Sequence, residues 1–448
     1  MESFIGYKNM MTGLFLFQND LRLHDNRALS LAAQEVDRLI CVYCFPYSHS
    51  HQRPFSIRSI GQARQQFLLQ SLACLNKQLT NQKQVLLVLF ESPLTALPSL
   101  ITRFDVTALY RSENAGYYEN KEWQLLEQRY PFLNFTTTAT HTLFDQAELP
   151  FKLSNLPASF SKFRKLVESQ PIQTSLDHIA HIPPPPSQIL DMRVNLPIEP
   201  QAPSHHSFCG GEAAGIEHLQ RYFANQQPSH YKQTRNALDD WQSSTKFSPW
   251  LALGCLSARK IIEALDAYHN RVEKNSSTEW IKFELLWREY FQWYAHCYQK
   301  DLFMFKGIKN KAPHTSYYSE RFRRWCTGNT PYPIVNACMK QLNLTGYMSN
   351  RGRQLAASCL VHELSVDWRY GASYFEQHLL DYDVASNWGN WQYIAGVGAN
   401  PREHKHFNLQ KQTEQYDPSG IFIRKWQGNT SDGNLDAVDA ADWPLHSE

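Results

Sequence analysis

Short apolar runs alternate with helical patterns along the first part of the chain, and this alternation constrains the fold more than any other feature. The runs GLFLF, RLICVYCF, QVLLVLF, VTALY and LNFTT resemble strands, with helical patterns around 28–34 and from about Gly61. Strands that alternate with helices predict a parallel sheet covered by helices. We therefore predict a doubly wound α/β domain over residues 11–142. It contains neither a glycine-rich dinucleotide fingerprint nor a P-loop.

A proline-rich stretch separates this domain from a helical one. Periodicity weakens from about Leu143, and the run Pro183–Pro186 favours extended polyproline geometry, so residues 143–208 are predicted to form an inter-domain linker. From about Gly210 to Trp426 apolar residues recur at helical spacing, which predicts an all-α domain over 209–428. The Asp-rich end, 429–448, has no pattern and is predicted to be disordered.

Composition narrows the class of protein without fixing a partner. The net charge of +2 argues against a wholly basic nucleic-acid-binding surface, but allows a local basic groove. There is no apolar run of about 18 residues and no secretory signal, which predicts a cytoplasmic protein. Cys41 and Cys44 should point to opposite faces of a strand, which argues against a redox or metal site. The 12 Trp, 22 Tyr and 25 Phe residues exceed what packing usually demands, so aromatic chemistry is a hypothesis.

The segment LLDYDVASNWGNWQYIAG carries the densest chemical signal. Asp383, Asn387 and Trp391 are spaced i, i+4 and i+8, and so fall within about 80° of one helical face. Asp381 and Asp383 are costly in an apolar helix unless they are paired, and the two arginines of MSNRGRQ could supply the cations. The alternative is a solvated helix end.

A second cluster lies in DDWQSSTKFSPWLALGCLS, just before an apolar helix. Its hydroxyls, the free amides of the helix start and Lys246 would form an anion-binding site suited to phosphate. The alternative is a plain helix cap.

A third cluster, WIKFELLWREYF, spaces Glu284 and Arg288 i and i+4 beside Trp287. This spacing allows a helix-stabilising ion pair worth about 0.3 to 0.5 kcal/mol. The alternative is a polar pair in a pocket.

These clusters belong to a larger resemblance. The segments NDLRLHDNRAL, TKFSPWLALGCLS, FELLWREYF, GYMSNRGRQ, VDWRYG and DYDVASNWGNWQY follow the order and nearly the spacing of photolyases and cryptochromes, over about residues 13–426. FSPWLALGCLS, NRGRQ, SNWGNWQY and FNLQKQTEQYDPSGIFIRKW most resemble DASH cryptochromes. The resemblance implies the photolyase fold and an FAD cofactor in the all-α domain.

The resemblance assigns the FAD-binding role to particular positions. Tyr231 and the segment 244–248 match residues at the adenosine and diphosphate end, and Asn387 matches the residue that faces flavin N5. The full set of matching positions is Tyr231, Ser244, Thr245, Lys246, Phe247, Ser248, Arg288, Asn350, Arg353, Asp381, Tyr382, Asp383 and Asn387.

Trp391 and Trp368 match the first two tryptophans of the chain through which family members photoreduce the flavin. The third tryptophan is not evident, because the aligned stretch reads HTSYYSERFRRW. Either Tyr317 or Tyr318 substitutes, or photoreduction is inefficient. Without the resemblance, a buried Trp would be taken as core packing.

The resemblance also implies a pocket for a flipped-out pyrimidine dimer. The matching positions are Glu284, Trp287, Gln354 and Tyr393 for its wall, and Arg351 and Gln412 for the nucleic-acid backbone. Cyclobutane-dimer photolyases carry the more apolar Met and Trp at the positions of Gln354 and Tyr393. Extrusion of a dimer from the base stack costs a few kcal/mol, and this cost is smaller in a single strand. Weaker apolar contact in the pocket offsets less of this cost. Repair is therefore expected in single-stranded DNA or at looped-out sites, with little repair in duplex DNA, and RNA is an alternative substrate.

A light-harvesting antenna is expected in the first domain. Glu113, in LYRSENAG, matches the acid that binds methenyltetrahydrofolate in similar proteins, and a carboxylate can accept hydrogen bonds from a pterin. The alternative is a surface loop acid. The resemblance thus predicts a monomeric blue-light lyase that acts by photoinduced electron transfer, with Trp391, Trp368, Asn387 and Glu284 as catalytic residues. The rival hypothesis is a photoreceptor that binds nucleic acid or a protein partner and regulates transcription without repair.

Overall fold

The computed structural model describes residues 10–45, 60–176, 178–179, 181–192, 196, 208–399 and 406–430. The C-terminal segment predicted to be disordered, 429–448, lies outside these ranges from residue 431 onward. Within them, no helix is both long and apolar enough to cross a membrane. All nine cysteines of the chain are free thiols.

A five-stranded parallel sheet forms the first domain, as the alternation predicts. The strands are β1 (Thr12–Phe17), β2 (Arg38–Cys44), β3 (Leu86–Leu89), β4 (Val106–Ser112) and β5 (Asn134–Thr138), in the order β3-β2-β1-β4-β5. The helices between them are α1 (Arg27–Glu35), α2 (Gln62–Asn81), α3 (Pro93–Arg103) and α4 (Tyr117–Arg129). Because the chain winds outward in both directions from β1, the sheet is doubly wound.

Alternation along the strands divides the core of this domain into two clusters, one on each face of the sheet. In β1, Phe15 and Phe17 belong to one cluster, whereas Leu14 and Leu16 belong to the other. Cys41 lies in the first cluster and Cys44 packs against the second, as strand alternation requires.

The segment predicted to be a linker contains a helix of its own. Helix α5 (Phe160–Val167) buries Phe160, Phe163 and Val167 against the helical domain. The buried Glu289 carboxylate accepts hydrogen bonds from the backbone amides of Leu143 (2.8 Å) and Phe144 (3.3 Å). The start of this segment is therefore fixed to the helical domain.

Helices make up the second part of the chain, as the periodicity predicts. They are α6 (Glu212–Phe223), α7 (Gln227–Thr234), α8 (Ser248–Ala252), α9 (Ala258–Arg271), α10 (Ser276–Tyr298), α11 (Ser319–Thr327), α12 (Pro333–Thr345), α13 (Asn350–Ser358), α14 (Trp368–His378), α15 (Val384–Ala395), α16 (Leu409–Tyr416) and α17 (Ile421–Lys425). A π-helical turn, Cys359–Glu363, follows α13. Helix α10 packs against both α7 and α15, which makes it the centre of this domain.

The loop after β1 joins the two domains. Arg22 is buried, and its guanidinium donates to the carbonyls of Gly254 (2.8 Å) and Thr140 (2.6 Å). The Glu212 carboxylate at the start of α6 accepts from the amides of Leu23 (2.8 Å) and His24 (3.1 Å). These bonds fix the helical domain against the carboxyl end of β1.

Candidate functional site

Helix α15 begins at the acidic segment that the sequence singled out. Asp383 is its cap residue, and one carboxylate oxygen accepts from the Ser386 amide at 2.7 Å. Both oxygens lie 3.0 Å from the side-chain nitrogen of Gln292, which is buried on α10. The prediction of two acids inside an apolar helix is therefore wrong in detail: both precede the helix, where free amides can bind a carboxylate.

Asp381 forms an ion pair with one of the two predicted arginines. Its Oδ2 lies 2.8 Å from Nη2 of Arg353, whose Nε donates to the Met348 carbonyl at 2.9 Å. The other oxygen, Oδ1, is buried and has no hydrogen-bond partner among the residues that the structure describes. A buried acceptor of this kind is expected to meet a ligand or a water.

Asn387 and Trp391 continue from Asp383 along α15, and both are buried. The Asn387 amide nitrogen donates to the carbonyl of Ala372 at 3.0 Å, which fixes the orientation of the side chain. The Trp391 ring lies against Gly371, where an added Cβ would come within 2.3 Å of the ring. The amide and the indole are therefore held rigidly on this helix.

The segment 244–248 enters α8, whose cap residue is Phe247. Because Phe247 has no side-chain oxygen, the hydroxyls of this segment do not act as the plain cap that was the alternative. Lys246 has a positive φ of 55°, and such backbone conformations of non-glycine residues cluster at functional sites. Its ammonium lies 3.3 Å from the Tyr347 hydroxyl. Ser244, Thr245 and Ser248 are half-buried beside it.

Lys246 also lines a cavity of about 620 Å³ with aromatic walls. The rings are those of Phe208, Trp241, Tyr347 and Trp426, and the Lys246 ammonium lies 4.8 Å from the centre of the Tyr347 ring. The cavity therefore offers aromatic faces and a cation next to the segment predicted to bind phosphate.

The remaining predicted cofactor residues differ in what their side chains contact. Tyr231 is buried on α7, and burial raises the pKa of its phenol. Asn350 begins α13 and is exposed. Arg288 donates to the His141 carbonyl at 2.6 Å. The Tyr382 ring lies 4.5 Å from the Arg64 guanidinium of α2.

Glu284 and Arg288 do not form the ion pair that their spacing allows. The Glu284 carboxylate instead accepts from Arg235 at 2.6 Å and from the Trp280 indole at 2.9 Å. Burial raises the pKa of Glu284, and the Arg235 guanidinium opposes this shift. Glu284 therefore pairs with the residue after α7 rather than with its neighbour on α10.

Aromatic rings form the wall beside Glu284. The Trp287 ring meets Tyr393 edge to face, with 6.2 Å between centroids. It also stacks on Phe160 of α5 at 3.8 Å with 15° between the planes, and on Phe291 of α10 at 5.7 Å with 26°. Gln354 of α13 is half-buried. One face of the Trp287 ring is thus already covered by protein.

Arg351 and Gln412, both predicted to contact a nucleic-acid backbone, lie together. The Arg351 guanidinium donates to Gln412 (3.2 Å) and to Asn236 (3.2 Å), and lies 4.6 Å over the Tyr416 ring. Its Nε is buried without a partner among the described residues. Arg351 is therefore a partly unsatisfied cation held between α13 and α16.

Trp368 and the two candidate tyrosines occupy different surroundings. Trp368 is buried, donates its indole N–H to the Phe305 carbonyl at 3.1 Å and contacts the Trp388 ring at 5.8 Å. Tyr317 is 49% exposed and stacks on Tyr370 at 4.4 Å. Tyr318 is buried beneath the Arg321 guanidinium, 4.4 Å from it.

Glu113 lines a cavity of about 270 Å³ between the two domains. Arg111 and Asn120 of the first domain and His296 and Gln299 of the helical domain also line it. Glu113 itself is half-buried at this site. The cavity can hold a bicyclic ring system, with Glu113 as acceptor and several amides as donors.

The residues around Asp381 suit an FAD cofactor. Oδ1 of Asp381 is a buried acceptor that lacks a donor, and the N–H and hydroxyl groups of a flavin and its ribitol chain are donors. Sequence reasoning missed Gln292, which holds Asp383, and Arg235, which holds Glu284. Each comes from a distant part of the chain, so no local spacing pointed to it.

Comparisons with known proteins agree with this geometry. A family model described as DNA photolyase matches residues 13–186, and one described as the FAD binding domain of DNA photolyase matches residues 280–443. The chain is 54% identical over 433 residues to Cryptochrome DASH of Idiomarina loihiensis, covering 97% of this chain and 96% of the relative. It is 50% identical over 445 residues to Cryptochrome DASH of Vibrio parahaemolyticus, covering 97% and 98%. A solved Synechocystis cryptochrome has a TM-score of 0.85 at 38% identity, covering 93% of this chain and 88% of that chain.

Proposed function

The chain belongs to the photolyase and cryptochrome family, as a DASH cryptochrome, and we propose that it uses FAD and blue light to repair cyclobutane pyrimidine dimers in single-stranded DNA. The helical part is an FAD-binding domain of this family. The proposal concerns the substrate, the reaction and the residues that carry them. It includes a cytoplasmic location and a monomeric state.

The observation that carries the proposal is that the cofactor wall and the pocket share three helices. Because the same rigid elements hold both groups of side chains, a dimer in the pocket would lie beside the flavin. On each helix one residue belongs to the cofactor wall and a second belongs to the pocket. These pairs, with the cofactor-wall residue named first, are Gln292 and Trp287 on α10, Arg353 and Gln354 on α13, and Asn387 and Tyr393 on α15.

The chain's own residues bind and orient the two partners. Asp381, Asp383 and Asn387 would hold the flavin and ribitol, while Tyr231 and the segment 244–248 would hold the adenosine diphosphate end. FAD held there would supply the light-driven, reversible one-electron chemistry that splits the dimer. No general acid or base is required, and Glu284 orients the damaged bases while the aromatic wall excludes water.

Features of the pocket support a single-strand preference. Gln354 and Tyr393 provide less apolar contact than the Met and Trp of duplex-repairing relatives. Phe160 also covers one face of Trp287, so a flipped base cannot stack on that face. Both features reduce the binding energy that offsets unstacking, a cost of a few kcal/mol in a duplex. Arg351 and Gln412 would contact the strand's phosphates without reading sequence.

The rival function, a photoreceptor without repair, would use the same cofactor wall. The pocket separates the two hypotheses, since a receptor has no need for Glu284 to be held by Arg235 and Trp280 beside Trp287. This arrangement favours repair.

We also propose that the cavity at Glu113 binds methenyltetrahydrofolate as an antenna. Its size suits the pterin ring, and Glu113 would accept hydrogen bonds from it. Glu113→Gln should remove the folate absorbance band while FAD stays bound. A band that persists in this variant would exclude Glu113 as the folate ligand.

The repair proposal is tested with the reduced protein and a thymine dimer in a single strand, under blue light and in darkness. Restored thymine is measured by chromatography. Glu284→Gln should repair several-fold less than the wild type, whereas Glu279→Gln, an exposed acid at the start of α10, should repair normally. No repair by the wild type in light would move the assignment to the photoreceptor.

A further inference from the structure

The aromatic cavity of about 620 Å³ lies beside the cofactor residues without being formed by them. Of the positions that the resemblance assigns to FAD, only Lys246 lines it. Phe67 and Gln70 of α2 and Gln341 of α12 form other walls, so both domains contribute to the cavity. Its volume falls within the roughly 300–1,000 Å³ that is usual for small-ligand pockets. The cavity therefore has room for a small molecule in addition to FAD.

Lys246 brings a buried cation to this cavity without a matching anion. The residue is 7% exposed, and its ammonium lies 3.3 Å from the Tyr347 hydroxyl and 4.8 Å from the centre of the Tyr347 ring. In the part of the chain that the structure describes, Lys246 forms no ion pair with a carboxylate. An ammonium that is removed from water is costly unless it is paired. An anionic ligand would supply the missing charge.

The two acids that line the cavity do not supply this charge. Asp239 pairs with the Lys425 ammonium at 2.6 Å and accepts a hydrogen bond from the Trp426 indole at 2.8 Å. Asp240 is exposed, so solvent screens its charge. Because Lys425 already balances Asp239, the ammonium of Lys246 stays available to a ligand.

Gln341 adds a second unsatisfied group to the same cavity. It is 3% exposed, and its side-chain nitrogen donates to Asp239 at 2.9 Å, which fixes the orientation of the amide. The remaining oxygen, Oε1, is buried and accepts no hydrogen bond from any residue in the described ranges. A buried acceptor without a donor bears an uncompensated desolvation cost. A ligand with an N–H group would satisfy it.

Flat aromatic rings surround these two polar groups. The Phe208 ring lies 4.8 Å from the Trp241 ring and 5.0 Å from the Tyr347 ring, measured between centroids. Together with Trp426, all of these residues line the cavity and are half-buried. Nucleic-acid bases stack on such rings because every base has a π-face. The walls therefore suit a planar heteroaromatic ring.

We infer that this cavity binds a free mononucleotide. The base stacks on the aromatic rings, an N–H group of the base donates to Oε1 of Gln341, and the phosphate lies at the ammonium of Lys246. One ligand of this class supplies the anion, the donor and the planar ring that the cavity calls for. The site is distinct from the proposed dimer pocket, because Glu284, Trp287, Gln354 and Tyr393 do not line this cavity.

The test measures binding of adenosine monophosphate (AMP), adenosine and inorganic phosphate to the FAD-bound protein by isothermal titration calorimetry. AMP should bind at one site, more tightly than adenosine or phosphate. Lys246→Met should weaken AMP about ten-fold through loss of one charge-assisted contact, with adenosine unchanged. Gln341→Leu should weaken AMP and adenosine several-fold. The matched controls, Lys162→Met on α5 and Gln220→Leu on α6, change exposed residues and should bind AMP normally.

Competition and cofactor content separate this site from the others. A single strand that carries a thymine dimer should not displace AMP, and displacement would place AMP in the dimer pocket and overturn the inference. Absence of AMP binding at millimolar concentration, or wild-type affinity in Gln341→Leu, would also overturn it. Should Lys246→Met lose FAD, Gln341→Leu and the competition decide. Should Gln341→Leu fail to fold, Lys246→Met and the competition decide.

Discussion

At the scale of single residues, the pair formed by Asp381 and Arg353 is the most informative feature. One carboxylate oxygen is satisfied by the guanidinium, whereas Oδ1 is buried without a partner among the described residues. An unsatisfied buried polar group costs about 1–3 kcal/mol. The free protein therefore carries a cost that a ligand donor would relieve, which couples folding of this site to cofactor binding.

Replacement of Arg353 tests this coupling. Arg353→Met leaves the buried Asp381 carboxylate uncompensated, which should lower the free energy of unfolding by about 3–5 kcal/mol. FAD content, measured by flavin absorbance of the purified protein, should fall with it. Arg351→Met is the matched control and should retain FAD, because Arg351 contacts Gln412 and Asn236. Full FAD occupancy in Arg353→Met would argue against the assigned flavin wall.

At the scale of elements, local patterns predicted the architecture well. Alternating residues such as Phe15 and Leu16 identified the strands, and helical spacing identified α15 with its stripe of Asn387 and Trp391. Strands and helices have periods that the sequence itself displays. The α5 helix was missed, because it is short and lies within a proline-rich stretch.

Contacts between elements were harder to predict. Arg235 meets Glu284 from the residue after α7, and Trp325 meets Trp391 from α11. Neither pair has a spacing that a single helix or strand would impose. The predicted pair of Glu284 and Arg288 illustrates the same limit: i, i+4 spacing permits contact, but each side chain found a better partner elsewhere. Family resemblance supplied most of the site residues, and the structure supplied their partners.

The attachment of the 143–144 segment to α10 gives a pH-dependent prediction. Burial raises the pKa of Glu289 above its ordinary value of 4.5, so the folded protein binds more protons than the unfolded chain in the window above that value. The contribution of Glu289 to the free energy of unfolding therefore falls as the pH rises from 4.5 through the raised pKa. Glu289→Gln should remove this dependence in unfolding titrations.

The same variant should also be less stable near neutral pH. The Glu289 carboxylate accepts hydrogen bonds from two backbone amides and from the Trp293 indole, whereas a glutamine amide has only one acceptor oxygen. The free energy of unfolding is therefore expected to fall by about 1–3 kcal/mol. Glu279→Gln, an exposed acid of α10, serves as control. An unchanged pH profile in Glu289→Gln would show that another group dominates this window.

At the scale of the whole molecule, the loop after β1 determines how the two domains sit together. Arg22 and Glu212 satisfy backbone groups across the interface, and Gly254, with φ of 65°, allows its close approach. A Cβ at Gly254 would come within 2.0 Å of the Asn19 carbonyl oxygen. This fixed interface also sets the walls of the cavity at Glu113, to which both domains contribute.

Removal of the Arg22 guanidinium should lower the thermal stability of the whole protein. Arg22→Met leaves the carbonyls of Gly254 and Thr140 buried without their donor. Each unsatisfied carbonyl should lower the free energy of unfolding by about 1–3 kcal/mol. Calorimetry should show a lower melting temperature and loss of a single cooperative transition. Arg38→Met, at the exposed start of β2, should change the stability by no more than about 0.5 kcal/mol. Identical melting of the two variants would contradict the role of the loop.

The most direct test of the proposed function places one cyclobutane thymine dimer either in a single strand or in the matching duplex. The purified, reduced protein is illuminated with blue light, and restored thymine is quantified in both substrates. Repair confined to the single strand is the predicted result, because the pocket of Gln354, Tyr393 and the partly covered Trp287 offsets little of the unstacking cost. Equal repair in the duplex, or no repair of either substrate, would contradict it.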